Sequence, residues 1–381
     1  TGNISLTNNS RIQGGIVLDN SKMTGGITLG GSSNIAGISL ANASTITGGV
    51  TLNGSSSIDN ISISGNNTTL AGGISLSNTS AITDIDVGGT ITSSISAVGG
   101  ARIDSINITN GRVGGDISAN WSSAGNGIGT INQITITDGE VGGNIELANE
   151  TSIANGMTLN NGTINGAINL NIGTEDGSVA SIPTISLQNA STIANITLGN
   201  SATATNSQGT VVSGRGYIDS LTLGGTSHIG NIANDRGIIS TLTLGGDSSI
   251  GTIANNSNGT ISNIALNGTS TITNGITNAS GGTISNITLA SSNTINNGIA
   301  NEGNIGTIIN DTSNTTQVSN AGTIGAISIN QGEIDYSGDG IITEELVVEK
   351  GATLSIDSGN GTITMDSDFG SKLNLKGGLY F

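Results

Sequence analysis

Residues 260–266 read Thr-Ile-Ser-Asn-Ile-Ala-Leu, and residues 283–289 read Thr-Ile-Ser-Asn-Ile-Thr-Leu. Similar segments stand at residues 217–223 and 238–244, so the first isoleucine recurs at positions 218, 239, 261 and 284. Within each segment, apolar residues alternate with Ser, Thr or Asn, a period of two that is typical of a β-strand. A strand-like segment that returns every 21–23 residues indicates an internal repeat.

Each repeat contains two further apolar units. They begin at positions 229, 250, 272 and 295, and at positions 232, 253, 276 and 299. Toward the N-terminus, similar short segments of alternating apolar and polar residues recur at half that period, every 11 or 12 residues. Because like segments lie one period apart, they pair if successive coils stack in parallel. The sequence therefore predicts an all-β fold, a single right-handed parallel β-helix over residues 1–340 with three strands and 21–23 residues per coil.

The corners of the coils carry Gly and Asn. Gly-Gly pairs at 14–15, 25–26, 48–49 and 72–73 mark turns where a Cβ would obstruct the chain. One asparagine per coil also aligns with the next, at Asn234, Asn255, Asn278 and Asn301. We expect these four side chains to form an internal or corner ladder in which stacked amides hydrogen-bond to each other.

The composition changes at residue 341. Residues 344–350 contain four charged side chains among seven residues, and Phe369, Tyr380 and Phe381 add aromatic side chains that are rare elsewhere. We interpret residues 341–381 as the C-terminal coils or cap of the β-helix, which covers its last unpaired edge and nucleates its folding.

Charge and composition exclude several classes of function. The net charge of −17 argues against binding of DNA or RNA backbones, which requires a basic surface. The chain has no cysteine, and its single histidine, His228, lacks the partners of a catalytic triad or metal site. No apolar run is long enough for a transmembrane helix. We expect neither a cofactor nor a metal, and the chain's start inside a strand-like unit suggests a piece of a longer protein.

Three stretches break the repeat, at residues 119–130, 171–184 and 200–216. Insertions in a solenoid leave the coil at a corner, as surface loops that are either neutral or carry binding. Candidate binding residues in these loops are Trp121, Glu175, Asp176 and Arg215.

A polysaccharide-cleaving β-helix needs paired carboxylates on one outer face. Asp84 and Asp86 flank Ile85, and Glu333 and Asp335 flank Ile334 with Tyr336 beside them. Neighbours on one face of a strand lie about 7 Å apart, which falls within the window for an inverting glycosidase. Such pairs are also common on solvated strands, and neither pair has a cluster of aromatic residues for sugar rings. We therefore do not expect an enzyme.

The chain resembles the passenger domains of Gram-negative autotransporters (type V secretion) over essentially its whole length. The resemblance rests on Gly/Asn/Ser/Thr-rich repeats such as residues 281–289, the acidic balance, the absence of cysteine and the single proline. It implies export through an outer-membrane barrel that this chain does not contain. No Gly-x-Ser-x-Gly motif is present, so the chain is similar to the adhesin and self-associating branch.

The expected function is that of a secreted or surface-displayed adhesin at the bacterial outer membrane. Its partner is a host-cell surface glycan or protein, or another copy of itself. The alternative is a β-helix enzyme of the pectate-lyase or glycosidase type.

Overall fold

The computed structural model describes residues 2–122, 127–171, 178–199, 204–205, 211–212, 214–256, 258–361, 364–365, 373–375 and 378–380. Side chains are described up to residue 356, except at 171, 204–205 and 211–212. All regular structure in the described part is β-strand. The chain divides into two compact units, Thr1–Ala194 with Thr203–Arg215, and Asn195–Ala202 with Gly216–Phe381.

The first unit is built from short strands separated by corners. Its strands are β1 (Ile4–Leu6), β2 (Arg11–Ile12), β3 (Ile16–Asp19), β4 (Lys22–Met23), β5 (Ile27–Leu29), β6 (Asn34–Ile35), β7 (Ile38–Ala41), β8 (Thr45–Ile46), β9 (Val50–Leu52), β10 (Ser57–Leu70), β11 (Ile74–Leu76), β12 (Ala81–Ile91), β13 (Ile95–Val98), β14 (Arg102–Thr109), β15 (Arg112–Val113), β16 (Ile117–Ser122), β17 (Gly127–Ile128), β18 (Thr130–Thr137), β19 (Glu140–Val141), β20 (Ile145–Ala148), β21 (Ser152–Ile153), β22 (Met157–Asn160), β23 (Thr163–Asn171) and β24 (Val179–Gln188). β25 (Thr192–Leu198) begins in this unit and ends in the second, and β26 (Ala204–Thr205) and β27 (Val211–Val212) form an antiparallel pair.

The second unit is built from strands of two to nine residues. They are β28 (Arg215–Leu223), β29 (His228–Asn234), β30 (Ile238–Leu244), β31 (Ser249–Asn255), β32 (Thr260–Leu266), β33 (Thr271–Ile272), β34 (Ile276–Asn278), β35 (Thr283–Ser291), β36 (Thr294–Ile295), β37 (Ile299–Asn301), β38 (Asn304–Thr312), β39 (Thr315–Asn320), β40 (Thr323–Ile329), β41 (Glu333–Gly338), β42 (Ile341–Val348), β43 (Thr353–Gly361), β44 (Thr364–Met365), β45 (Leu373–Leu375) and β46 (Gly378–Tyr380).

Parallel pairing between like segments confirms the predicted stacking. In the second unit Ile239 pairs with Ile218 of the previous coil and with Ile261 of the next. In the first unit Ile58 pairs with Ile35 and Ile82 in the same way. The all-β class and the parallel solenoid are therefore as predicted. Parallel crossover connections are right-handed in about 98% of cases, which is the sense that we expected.

The three predicted units of each coil are present, and the first of them consists of two arms. Within β32, Ile261 and Ile264 are both buried although they are three positions apart, an odd spacing that places them on opposite faces of a straight strand. Ile264 and Leu266 are two positions apart and face the same side, as in a regular strand. The strand therefore turns a corner at Ser262 and Asn263, and both arms face the core. Each coil thus buries four sets of side chains, and the apolar part of the core consists mainly of Ile, Leu and Val.

Close approach between successive coils explains the glycines at the corners. A Cβ placed on Gly48 would lie 2.6 Å from the backbone nitrogen of Gly26 in the preceding coil. That separation is shorter than van der Waals contact, so only glycine fits there without a shift of the backbone.

The predicted asparagine ladder is internal and longer than expected. The Nδ2 amide of Asn234 donates to Oδ1 of Asn255, and the same bond of 2.8 Å links Asn255 to Asn278 and Asn278 to Asn301. Asn301 continues the ladder to Asn320, also at 2.8 Å. All five side chains are buried. The amide oxygens of Asn255, Asn278, Asn301 and Asn320 each accept from the preceding member, and among the described residues only Oδ1 of the first member, Asn234, has no partner. This pairing fixes the register of the coils that carry the ladder.

A tyrosine ends the ladder. Nδ2 of Asn320 donates to the hydroxyl oxygen of Tyr336 at 2.9 Å, and Tyr336 is fully buried. Burial raises the pKa of this tyrosine above its ordinary value of 10.0, a shift that the Asn320 hydrogen bond partly opposes and the Asp339 charge reinforces. The pairing of β39 with β41 runs to Ser319 and Ser337, and its continuation places Gly338 opposite Asn320. Glycine has no side-chain amide, so the hydroxyl of Tyr336 takes the place of the next amide of the ladder.

Beyond residue 341 the described strands pair in parallel with earlier ones. β42 pairs with β40, β43 with β41, and β46 with β43. The expected contributions of Phe369, Tyr380 and Phe381 fall on residues or side chains outside the described part.

Candidate functional site

Asp84 and Asp86 lie on one outer face of β12, as the sequence predicts. Both are half-buried beside the fully buried Ile85. Asp86 accepts hydrogen bonds of 3.0 Å from the Nδ2 amides of Asn60 and Asn107, which belong to the coils on either side. Asp84 accepts a hydrogen bond from the hydroxyl of Ser105. The two carboxylates are thus members of a polar ladder that joins three successive coils.

Glu333 and Asp335 also share an outer face, on β41. Glu333 accepts hydrogen bonds from the hydroxyls of Thr315, at 3.2 Å, and Ser355. Asp335 lines a shallow groove of about 250 Å³ together with Gln317 and Ser319. Tyr336 follows Asp335 in the sequence, but its side chain points into the core and its hydroxyl accepts a hydrogen bond from Asn320. A residue two positions after the buried Ile334 faces the same side as Ile334.

The candidate loop residues are only partly described. Trp121 lies at the end of β16 with 36% of its side chain exposed. Arg215 is exposed, and its backbone N–H donates to the carbonyl oxygen of Ser178 at 2.9 Å. Glu175 and Asp176 lie outside the described residues. His228 is exposed on β29, with Nδ1 2.9 Å from the hydroxyl oxygen of Ser249.

A corner groove of about 500 Å³ in the first unit was missed by the sequence reasoning. It crosses successive coils at residues 89–90 within β12 and at the corners that follow β14, β18 and β22. The corner residues Asn110, Asp138 and Asn161 have φ values of 55°, 50° and 50°, a left-handed conformation that Asn and Asp tolerate better than most residues. Side chains that line the corner groove are those of Asn66, Thr90, Asn110, Arg112, Asp138, Glu140, Asn161, Thr163 and Asn165.

Hydrogen bonds within the corner groove run from coil to coil. Nε of Arg112 donates to Oε1 of Glu140 at 3.2 Å, and Nδ2 of Asn165 donates to the same carboxylate oxygen. Nδ2 of Asn161 donates to Asp138 at 3.1 Å. The Arg112–Glu140 ion pair is about half exposed on the arginine side, so solvent screens it. The corner groove therefore presents amide, hydroxyl, guanidinium and carboxylate groups at a repeat of about 4.8 Å.

One sequence signal could have revealed the corner groove. Residues 109–111, 137–139 and 160–162 read Thr-Asn-Gly, Thr-Asp-Gly and Asn-Asn-Gly, which is the same corner in three coils. The first two lie 28 residues apart because the insertion at Trp121 lengthens the coil between them. A period of 21–23 residues therefore does not predict that Arg112 and Glu140 are neighbours.

The described residues contain neither a membrane-spanning helix nor a cluster of metal ligands. No described residue belongs to a helix long and apolar enough to span a membrane. Within the described part of the chain, no three His, Asp or Glu side chains come together as ligands for a metal ion.

No protein-family model matches the chain, and no match was found among curated proteins or solved structures.

Proposed function

We propose that this chain is a secreted or surface-displayed adhesin of the autotransporter passenger type, which attaches bacteria to host surfaces or to each other. The observation that carries the proposal is the corner groove, in which successive coils align polar side chains into one continuous surface. The β-solenoid fold is compatible with such a passenger.

Repetition supports a binding role. Each coil offers a few exposed hydroxyl, amide or carboxylate groups, and a single such contact is weak. A partner that lies along the corner groove contacts several coils at once, so weak contacts act together and the bound state lasts longer. The partner is a glycan, a protein or a second copy of this chain, displayed outside the cell after export through an outer-membrane barrel.

The enzyme alternative makes a distinct prediction. If Asp84 with Asp86, or Glu333 with Asp335, act as acid and base, the chain cleaves a polysaccharide and loses that activity in Asp84→Asn or Glu333→Gln. In the described structure Asp84, Asp86 and Glu333 accept hydrogen bonds from neighbouring Asn, Ser and Thr side chains, which is the arrangement of a structural ladder.

Beads coated with the purified chain test the proposal. We expect them to bind to cultured host cells or to each other, whereas albumin-coated beads do not. Arg112→Ala removes the guanidinium from the corner groove and should reduce attachment several-fold. Arg11→Ala removes an exposed arginine elsewhere and should not.

The same preparation is incubated with a panel of polysaccharides, and reducing ends are measured. Coated beads that attach no better than albumin-coated beads would contradict the adhesin proposal. Turnover that disappears in Asp84→Asn or Glu333→Gln would establish the enzyme alternative.

A further inference from the structure

The single tryptophan of the chain is held at an irregular point of the first unit. β16 leaves the parallel stack at its end, where Trp121 pairs antiparallel with Ile128 of β17. The backbone carbonyl of the preceding Asn120 accepts hydrogen bonds from the amides of Gly99 and Gly129, both at 3.1 Å. The base of this extension is therefore anchored to the coil, and the indole stays partly exposed.

A small pocket of about 80 Å³ opens beside the indole, which we name the Trp121 pocket. Its other walls are Asn149, Glu150 and Ser178. Three segments that are distant in sequence thus contribute to one cavity, which the coil winding brings together.

In the described part of the chain, two side-chain oxygen atoms of residues that line the Trp121 pocket have no hydrogen-bond partner. Ser178 is only 3% exposed, and its hydroxyl is buried without a partner. Nδ2 of Asn149 donates to Oδ1 of Asn120 at 2.8 Å, which fixes the amide and leaves Oδ1 of Asn149 buried and unpaired. Buried polar atoms without partners are uncommon in folded proteins, and a bound donor group would satisfy both.

The residues that line the Trp121 pocket favour a positively charged hydrogen-bond donor. Among the described residues that line the pocket, Glu150 is the one with a charged side chain, and it is exposed. Together with the two unpaired oxygens it makes three acceptors. A primary ammonium group carries three N–H donors and one positive charge, and it is also attracted to the face of an indole ring.

We propose that the Trp121 pocket binds a primary ammonium group, the lysine side chain of a basic partner protein. The inference rests on the proposed adhesive function. Of the partners proposed there, a glycan, a protein or a second copy of this chain, it favours a protein with exposed lysines. The net charge of −17 supports it, because an acidic surface raises the rate of encounter with cationic partners.

Intrinsic fluorescence tests the proposal directly, because Trp121 is the only tryptophan. The purified chain is titrated with Nα-acetyl-lysine amide, and separately with the same compound acetylated on its ε-nitrogen. We expect a saturable change with the free amine and none with the acetylated form, which keeps the stem and lacks the charge. Glu150→Gln should weaken binding about fivefold, and Ser178→Ala should also weaken it, while the exposed Asp59→Asn should leave it unchanged.

Equal responses to the two compounds, or none to either, would overturn the ammonium proposal. So would a saturable response to N-acetylglucosamine alone, which would assign the pocket to a glycan. These outcomes are separable from the adhesive function. Coated beads that attach although lysine gives no signal refute only the pocket, whereas lysine binding without bead attachment refutes the adhesin.

Discussion

Replacement of Asn278 by alanine tests whether the buried asparagine ladder holds its coils together. Asn278 is the middle member, with Asn255 donating to it and Asn301 accepting from it, each at 2.8 Å. It also donates to the backbone carbonyl of Asn304 at 3.1 Å. The change removes all of these bonds and leaves the fully enclosed backbone in place.

The magnitude follows from the groups that are left behind. Nδ2 of Asn255 keeps bonds to the carbonyls of Gly259 and Thr283, at 3.1 and 3.2 Å, so this donor remains satisfied. Oδ1 of Asn301 loses the one donor that the described structure shows for it. An unsatisfied buried acceptor costs about 1–3 kcal/mol and a lost hydrogen bond about 1 kcal/mol, so the local opening free energy should fall by about 2–4 kcal/mol.

Hydrogen–deuterium exchange followed by mass spectrometry is the suitable assay. Stability in a repeat protein is a sum of local terms, and a global unfolding midpoint would dilute the effect. Exchange of amides in β31, β34 and β37 should accelerate about 30- to 800-fold. The matched control is Asn286→Ala, which removes an exposed asparagine bonded to Asn263 at 2.9 Å. Equal acceleration in both variants would refute the role of the buried ladder.

Three further predictions concern the end of the ladder, the corners and the C-terminal segment. Tyr336→Phe leaves Nδ2 of Asn320 without its acceptor and should lower the local opening free energy by about 1–3 kcal/mol. Burial raises the pKa of Tyr336 in the folded chain above its ordinary value of 10.0. The protonated hydroxyl therefore contributes to the free energy of unfolding below about pH 10, and this contribution is lost as the pH rises further. A stability titration should show that loss in the parent chain and not in Tyr336→Phe. Gly111→Ala places a Cβ 2.1 Å from the carbonyl oxygen of Val87 and should accelerate hydrogen–deuterium exchange in the strands beside it, whereas Gly14→Ala, with no atom within 4 Å of its Cβ, should not. Deletion of residues 341–381 should slow refolding more than deletion of residues 1–41, and equal rates in stopped-flow fluorescence or circular dichroism would show that the end is not a folding nucleus.

The repeat was predictable because it is periodic at two levels. Alternation within each segment places Ile264 and Leu266 on one side of a strand, and the distance between segments places Ile261 next to Ile284. The alignment of Asn234 with Asn255 followed from the same period. Parallel stacking brings like residues together, so a pattern in the sequence becomes a pattern of contacts.

The candidate site was less predictable because its residues depend on coil lengths that vary. Arg112 and Glu140 are direct neighbours although 28 residues separate them. Ser178 reaches the Trp121 pocket across two coils that both contain insertions. The inward orientation of Tyr336, by contrast, can be predicted from the sequence. Tyr336 lies two positions after the buried Ile334, and residues two positions apart on a strand face the same side. Loop lengths obey no local rule, so the convergence of distant side chains requires the structure.

Display of this chain on bacterial cells tests the central claim most directly. A strain that carries the chain on an outer-membrane barrel is compared with a strain that carries the barrel alone, and sedimentation and attachment to host cells are measured. The adhesin account predicts that the displaying strain aggregates or attaches markedly more than the strain with the barrel alone. Indistinguishable sedimentation and attachment in the two strains, with equal surface levels confirmed by antibody, would contradict it.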